Sequence, residues 1–435
     1  MLRLLLVALL GALGACATHR VTAVPEGGLL IENVTVVDVA AGGSRPGLSI
    51  LVLDGRIAEV APRIRLPRGA RRIDGRGRYA IPGLWDMHAH HQVAGESSLP
   101  LFLAHGVTGT RDMGGDAAFI FPLRERIRSG ALAGPEIVAA GPILDAAPAE
   151  WPLRRRVADA AQARAAVRDL AAAGADFIKV HDQTPREAYF AIAEETRRLG
   201  IPFAGHVPAT VTAEEAVSSG QASIEHLSNF QLFLQCSGGE AYDRERCMPF
   251  FRRLAAGRIW QTPTLVFMRS LPGIFEGEAI PHSEYASAEL ERFGRANQEA
   301  SRVPPEAVAW FRVQGEAALV AVRDMKAAGA PFLAGCDAMV PGFCLHDELE
   351  WLTRAGFSPL EALQTATINP ARFLGREATD GTIAPGRLAN IVLLDANPLT
   401  AIANTRRIHA VIVRGRLLDR AELDAMLARA RRPIG

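Results

Sequence analysis

Between residues 81 and 337, short apolar runs of strand length alternate with helical stretches, and this alternation constrains the fold more than any other feature. The runs end near His90, Met113, Ile143, His181, His206, Leu227, Leu265 and Asp337, eight in all. Helical stretches at 159–173, 185–199, 212–219 and 305–328 lie between several of them. Strands that alternate with helices form parallel sheets, and eight such units predict a (β/α)8 TIM barrel, an α/β fold. A barrel of this kind gathers functional side chains at the C-terminal ends of its strands.

The two chain ends read differently. Leu29-Leu30-Ile31, Val34-Thr35-Val36-Val37 and Ser49-Ile50-Leu51-Val52-Leu53 are β-rich, and Asp54-Gly55 signals a hairpin. Asn390–Leu394 and His409–Val413 return to this style, with Arg414-Gly415 as a turn. Residues 16–80 with 383–435 are therefore expected to form one small β-sandwich with a terminal helix at 420–431, and 81–382 the barrel. Ser358-Pro359-Leu360-Glu361 reads as a capping box opening a helix to Thr367. Insertions at 229–258 and 266–325 are expected as loops over the barrel mouth, where they would set substrate choice.

Residues 1–15 form a separate segment, with Arg3 followed by an apolar stretch from Leu4 to Leu13, too short to span a bilayer. This reads as an export signal. Its end, Leu13-Gly14-Ala15-Cys16, resembles a bacterial lipobox, which implies cleavage before Cys16 and lipidation of its thiol. Ala17 after the cysteine implies the outer membrane, facing the periplasm, with the lipid as the only membrane attachment. An ordinary signal peptide containing a cysteine is the alternative. In an exported chain the remaining four cysteines can pair in three ways; local pairs, 236 with 247 and 336 with 344, are expected, and free buried thiols are the other reading. With 49% hydrophobic and 22% charged residues the chain can bury a large core. A formal charge of +1 gives no basis for a nucleic-acid surface, and Arg154-Arg155-Arg156 is expected on a solvated helix face.

The runs carry a constellation. His88 and His90, two apart, share one face of a strand, since strand side chains alternate. Lys179 lies in Phe177-Ile178-Lys179-Val180-His181, while His206, His226 and Asp337 close three later runs. Any one of these histidines would suit a structural role; four at strand ends with an aspartate point to metal binding. Lys179 is unusual, because 46 of the 48 basic residues are arginine and the only other lysine is Lys326. Lysine can lose its proton when buried and act as an amine, which arginine cannot. An ion-paired structural lysine is the plainer reading.

The motif Pro82-Gly83-Leu84-Trp85-Asp86-Met87-His88-Ala89-His90, with Lys179, His206, His226 and Asp337, resembles the amidohydrolase superfamily, in particular its prolidase-like and imidazolonepropionase-like members. Ala366-Thr367-Ile368-Asn369-Pro370-Ala371 and Gly381–Val392 extend the likeness, while Cys336 and Asn390 depart from threonine and aspartate common there. The resemblance implies two divalent cations, zinc first, with manganese, cobalt or nickel as alternatives. His88, His90 and Asp337 would hold one, His206 and His226 the other, and Lys179, carboxylated by carbon dioxide, would bridge them together with a hydroxide that attacks the substrate. Asp337 would carry the proton from the attacking hydroxide to the leaving amine.

The expected activity is hydrolysis of an amide bond in a small peptide-like or N-acyl amino acid substrate. A cyclic-amide, lactone or ester hydrolase on the same site is the alternative, and a non-catalytic lipid-anchored binding protein is the alternative of another class. His181 shares a face with Lys179 and is expected to contact substrate, support a ligand or serve structure alone. Arg111 and Asp112 are expected to pair with each other or bind a substrate carboxylate, and His91 to point away from the site. The partner is a small molecule, and self-association stays open.

Overall fold

The computed structural model describes residues 27–146, 153–239, 241–300 and 303–431. The segment expected to be an export signal, with Cys16, lies outside the described residues.

Both chain ends join one eight-stranded sheet. Leu29–Val37, Ser44–Leu53, Arg56–Ala61, Arg71–Asp74 and Tyr79–Pro82 come from the N-terminal side, and Ile391–Leu394, Ile408–Val413 and Arg416–Leu418 from the C-terminal side. The join is antiparallel, Val392 opposite Ile81. Asp54 and Gly55 both have positive φ (47° and 74°), which suits the tight hairpin read from the sequence. In place of two separate sheets there is a continuous one, because Leu29–Val37 pairs along the same edge with Arg71–Asp74 and then Tyr79–Pro82. Arg56 on an outer strand makes an isolated antiparallel bridge to Leu388. Ile31, Val36, Ile50, Val52, Ile391 and Ile412 of the sheet are buried in one apolar cluster.

The middle of the chain is parallel throughout. Leu84–Ala89, Val107–Asp112 and Glu136–Ala139 form one sheet. Arg154–Arg156, Ile143–Asp145, Ile178–Val180, Phe203–Gly205, Ser223–Glu225 and Trp260–Thr262 form another, in that order. The third expected strand is broken between Ala139 and Ile143, where Gly141 takes φ 73° and Pro142 has no N–H to donate. The three arginines 154–156 are a strand beside Ile143–Asp145 and not a helix face, with Arg154 Nε 3.6 Å from the buried Asp145 carboxylate. The eighth run makes only an isolated bridge, Phe332 to Gln261. It nevertheless bonds to both neighbours: Leu333 N–H donates to Gln261 O at 2.9 Å, Met87 N–H to Ala334 O at 2.9 Å, and Asp337 N–H to His88 O at 2.7 Å. Gly335 permits that approach, since a Cβ there would stand 2.8 Å from His88 N.

The helices follow their sequence signals. Ala160–Ala172, Arg186–Leu199, Ala213–Ser219 and Pro305–Ala327 fall within a residue or so of expectation. Ser358 and Glu361 make the reciprocal capping bonds, and Pro359–Thr365 follows, two residues shorter than read. The insertions are mostly helical and not loops: Gln231–Ser237 and Arg244–Ala256 in the first, Leu265–Phe275, Ala288–Ala300 and Pro305–Ala327 in the second. Their apolar faces, Phe233, Phe251, Leu265 and Met268 among them, join the main core, which is why they are ordered. Disulfides join Cys236 to Cys247 and Cys336 to Cys344. Among the described residues no helix is long and apolar enough to cross a membrane.

Candidate metal centre

His88, His90 and Asp337 converge, each offering a ligand atom within 4.8 Å of the others. The two histidines lie on one face of Leu84–Ala89 and its continuation, as the i, i+2 spacing requires. His90 Nε2 is 3.3 Å from Asp337 Oδ1 and His88 Nε2 is 3.9 Å from the same oxygen. His226 Nε2 is 3.3 Å from the other oxygen, Oδ2. The His226 ring lies 4.3 Å from that of His88 and 5.0 Å from that of His206. Lys179 is wholly buried on Ile178–Val180, its Cδ where a Cβ on Gly205 would meet it at 3.0 Å, and its charge is felt by His88 and His226.

Supporting contacts leave one nitrogen of each imidazole directed to this cluster. His88 Nδ1 pairs with Glu225 Oε2 at 3.0 Å, His90 Nδ1 with Gly114 O at 3.1 Å, His206 Nδ1 with Asp182 Oδ1 at 2.7 Å and His226 Nδ1 with Thr264 Oγ1 at 2.5 Å. A carboxylate or carbonyl can only accept, so at His88, His90 and His206 Nδ1 carries a proton and Nε2 is the nitrogen left to face the cluster. His88 Nε2 is buried with no hydrogen-bond partner among the described residues, an orphan that a cation would satisfy. Burial, reinforced by the Lys179 charge, pulls the His88 imidazolium down to about 3, so the ring is neutral and fit to ligate. Burial likewise drives the His226 imidazolium well below its ordinary value. Burial would raise the Asp337 carboxyl, but the neighbouring His226 and His90 outweigh it and hold it ionised. Burial pulls the Lys179 ammonium down to about 8, against the opposing charges of Glu225 and Asp337. Imidazole nitrogens, a carboxylate and a buried lysine are a donor set that suits zinc and its neighbours.

A run of left-handed backbone shapes the site. His226, Leu227, Ser228, Asn229 and Phe230 all have φ between 47° and 71°, and none is glycine. Each such residue costs about 1–2 kcal/mol, so the segment is held by what it touches. Ser228 Oγ accepts from Val207 N–H at 2.7 Å, and Asn229 Nδ2 donates to Asp182 Oδ2 at 2.7 Å. One turn thus fixes His226 and, through Asp182 and Val207, the neighbouring His206. Thr264 (φ 43°) and Asp337 (φ 65°) are left-handed as well.

His181 stacks on His206 with centroids 4.1 Å apart, its Nδ1 3.5 Å from Asp145 Oδ2, and burial lowers its pKa to about 4. His181, Asp182 and His206 form a second group with ligand atoms within 4.8 Å. Asp182, Glu225 and Thr264 had no sequence signal of their own beyond adjacency to a candidate histidine or strand end. Arg111 does not pair with Asp112. It is buried against Glu225, while Asp112 accepts from His91 N–H at 2.8 Å. His91 turns away, onto Thr110. Asp86, Cys336 and Cys344 also cluster, but both thiols are consumed in the disulfide. Phe267, half-buried at 5.8 Å from the His226 ring, gives the site an apolar edge. A cavity of about 1190 Å³ lies elsewhere, between Leu99–Leu103, Tyr285–Glu289 and the C-terminal helix, and shares no residue with the histidines.

Known proteins resemble this chain in part of its sequence and in its fold. The amidohydrolase family model matches residues 312–418. A putative prolidase from Bifidobacterium longum is 26% identical, with a TM-score of 0.72 over 92% of this chain and 98% of its own. A bottromycin amidohydrolase is also 26% identical, at TM-score 0.72, covering 92% of this chain and 89% of its own. Dihydroorotase from Anaeromyxobacter sp. (strain K) is 41% identical over 70 residues, a match that spans only 16% of this chain and 16% of that relative. By the family model over residues 312–418 and by structural likeness over nine-tenths of its length, the chain is similar to members of the amidohydrolase superfamily.

Proposed function

We propose that this protein is a metal-dependent amidohydrolase that cleaves a C–N bond in a small peptide-like or N-acyl amino acid substrate. The observation that carries the reading is the convergence of His88, His90 and His226 on the two oxygens of Asp337, with Lys179 buried beside them. His88, His90 and Asp337 would hold one cation, and His206 and His226 a second. Lys179, as its carbamate, would be shared between them. When bound, the cations, zinc first, supply Lewis acidity and an acidified water. Asp337, 12% exposed and held ionised, takes a proton from the attacking water and returns it to the leaving amine. Phe267 and His181 border the space where substrate would sit. The strand-end placement supports closure of the parallel strands into a (β/α)8 barrel, with the eighth run bonded to the first and seventh. From residues 1–16 we further propose export and a lipid anchor at Cys16.

The test is turnover of N-acyl amino acids and dipeptides by purified protein loaded with zinc or manganese. Release of free amino acid supports the reading. Hydrolysis confined to lactones and aryl esters would move it to the ester-hydrolase alternative, and no turnover with both sites loaded would sink it.

A further inference from the structure

Arg111 is wholly buried, among the largest fully buried side chains of the described residues, and each of its three guanidinium nitrogens has a partner. Nε donates to Met87 O at 2.7 Å, Nη1 to Ser223 Oγ at 2.8 Å, and Nη2 to both oxygens of Glu225 at 2.9 Å and to Thr262 Oγ1 at 3.2 Å. Phe177 and Phe373 cover its cationic face at 5.7 and 5.0 Å. Glu225 is equally buried, and besides Arg111 it accepts from Ser223 Oγ and His88 Nδ1.

A buried Arg–Glu pair is a poor source of stability, since apolar residues of similar volume commonly do as well or better. Its use must be sought in what it positions. The guanidinium grips the strands Leu84–Ala89, Ser223–Glu225 and Trp260–Thr262 from its own strand, Val107–Asp112, and so ties together the two parallel sheets. It holds Met87 by its carbonyl, one residue before His88, and holds the carboxylate that receives the His88 Nδ1 proton. The backbone and the imidazole of the same ligand are thus fixed by one cation.

We propose that Arg111 and Glu225 are positioning residues that set the metal affinity of the His88 site, and that neither contacts substrate. The inference rests on the metal-dependent reading above. It is tested on metal-free full-length mature protein by chelator competition with zinc and by the visible spectrum of bound cobalt. Arg111→Met/Glu225→Gln removes both charges together, so no buried ion is left unpaired. It is expected to weaken one of the two sites by about 10–100-fold and to alter the cobalt spectrum. Thr262→Val, which removes one bond to Arg111 but leaves Glu225 on His88, is expected to keep both. Should that variant fail to fold, Arg111→Gln/Glu225→Gln also leaves no buried ion unpaired and keeps hydrogen-bonding groups in place, with the same loss expected. Unchanged zinc affinity and cobalt spectrum in the charge-free variant that folds would overturn the proposal, as would an equal loss in Thr262→Val. Wild-type protein that binds no metal would instead sink the hydrolase reading itself.

Discussion

Glu348 offers a quantitative test of how the site's surroundings are built. It lies on the helix Phe343–Arg354, fully buried, and its Oε2 accepts Val266 N–H at 2.8 Å at the start of Leu265–Phe275. Its Oε1 has no hydrogen-bond partner among the described residues. Burial pushes the carboxyl from 4.5 up to about 8, against the backbone hydrogen bonds from Val266 and Leu265. An acid whose folded pKa is raised stabilises the fold most at low pH, and that contribution is lost as pH climbs from the unfolded towards the folded value. Between pH ~5.5 and pH ~7.5 the unfolded chain has already shed this proton while the folded chain mostly keeps it, so wild type loses roughly 2–3 kcal/mol through this one group. Glu348→Gln has no such proton. Asp86 and Asp112, raised by burial to about 7 and about 6, are present in both proteins and cancel in the difference. Urea unfolding at several pH values should therefore show the variant gaining on wild type by roughly 2–3 kcal/mol across that window and levelling off above pH ~8. A constant difference at every pH would show that Glu348 ionises normally in the fold, and the burial argument would fail.

Lys179→Arg keeps the charge but cannot form a carbamate; activity should vanish and bound metal should fall when measured by elemental analysis, and wild-type rates would remove Lys179 from the chemistry. Asp182→Asn weakens the hold on His206 Nδ1, so chelator competition should show one site weaker by about 10–100-fold, whereas an unchanged affinity would break that link. Stripping the metals should lower unfolding stability by about 2.7 kcal/mol per site when free metal stood at a hundred times its Kd, and added zinc should restore it. A chain starting after Cys16, denatured without reductant, should show no free thiol; two or more would contradict the pairs 236–247 and 336–344.

The ligand candidates were legible because period-2 alternation and a polar residue closing each apolar run are local signals. His88 and His90 share a face for that reason alone. The supporting residues were not legible. In an ordinary strand Glu225 and His226 would point to opposite faces, and only the left-handed backbone from His226 onward lets both serve one site. The split at Gly141-Pro142 carried its signal in plain sight, but the helical insertions are ordered by tertiary burial, which proline-rich sequence conceals. Arg111 pairs with a residue 114 positions away, a partnership that no spacing rule could choose over its neighbour Asp112.

The left-handed turn at His226–Phe230 also bears on how such a chain could change its diet. The turn is pinned backward, through Ser228 to Val207 and Asn229 to Asp182, and forward, where Phe233 and Leu234 N–H donate to Phe230 O. The insertion begins at Gln231, is stapled to itself by Cys236–Cys247, and rejoins the sheet at Trp260. It is also tied into the fold, by Tyr242 and Arg244 to Asp324, by Arg253 to Glu214, and by Phe233 and Phe251 in the main core. Any exchange of this segment has to keep those contacts and the bonds to Phe230 O if the histidines are to stay where the turn has set them.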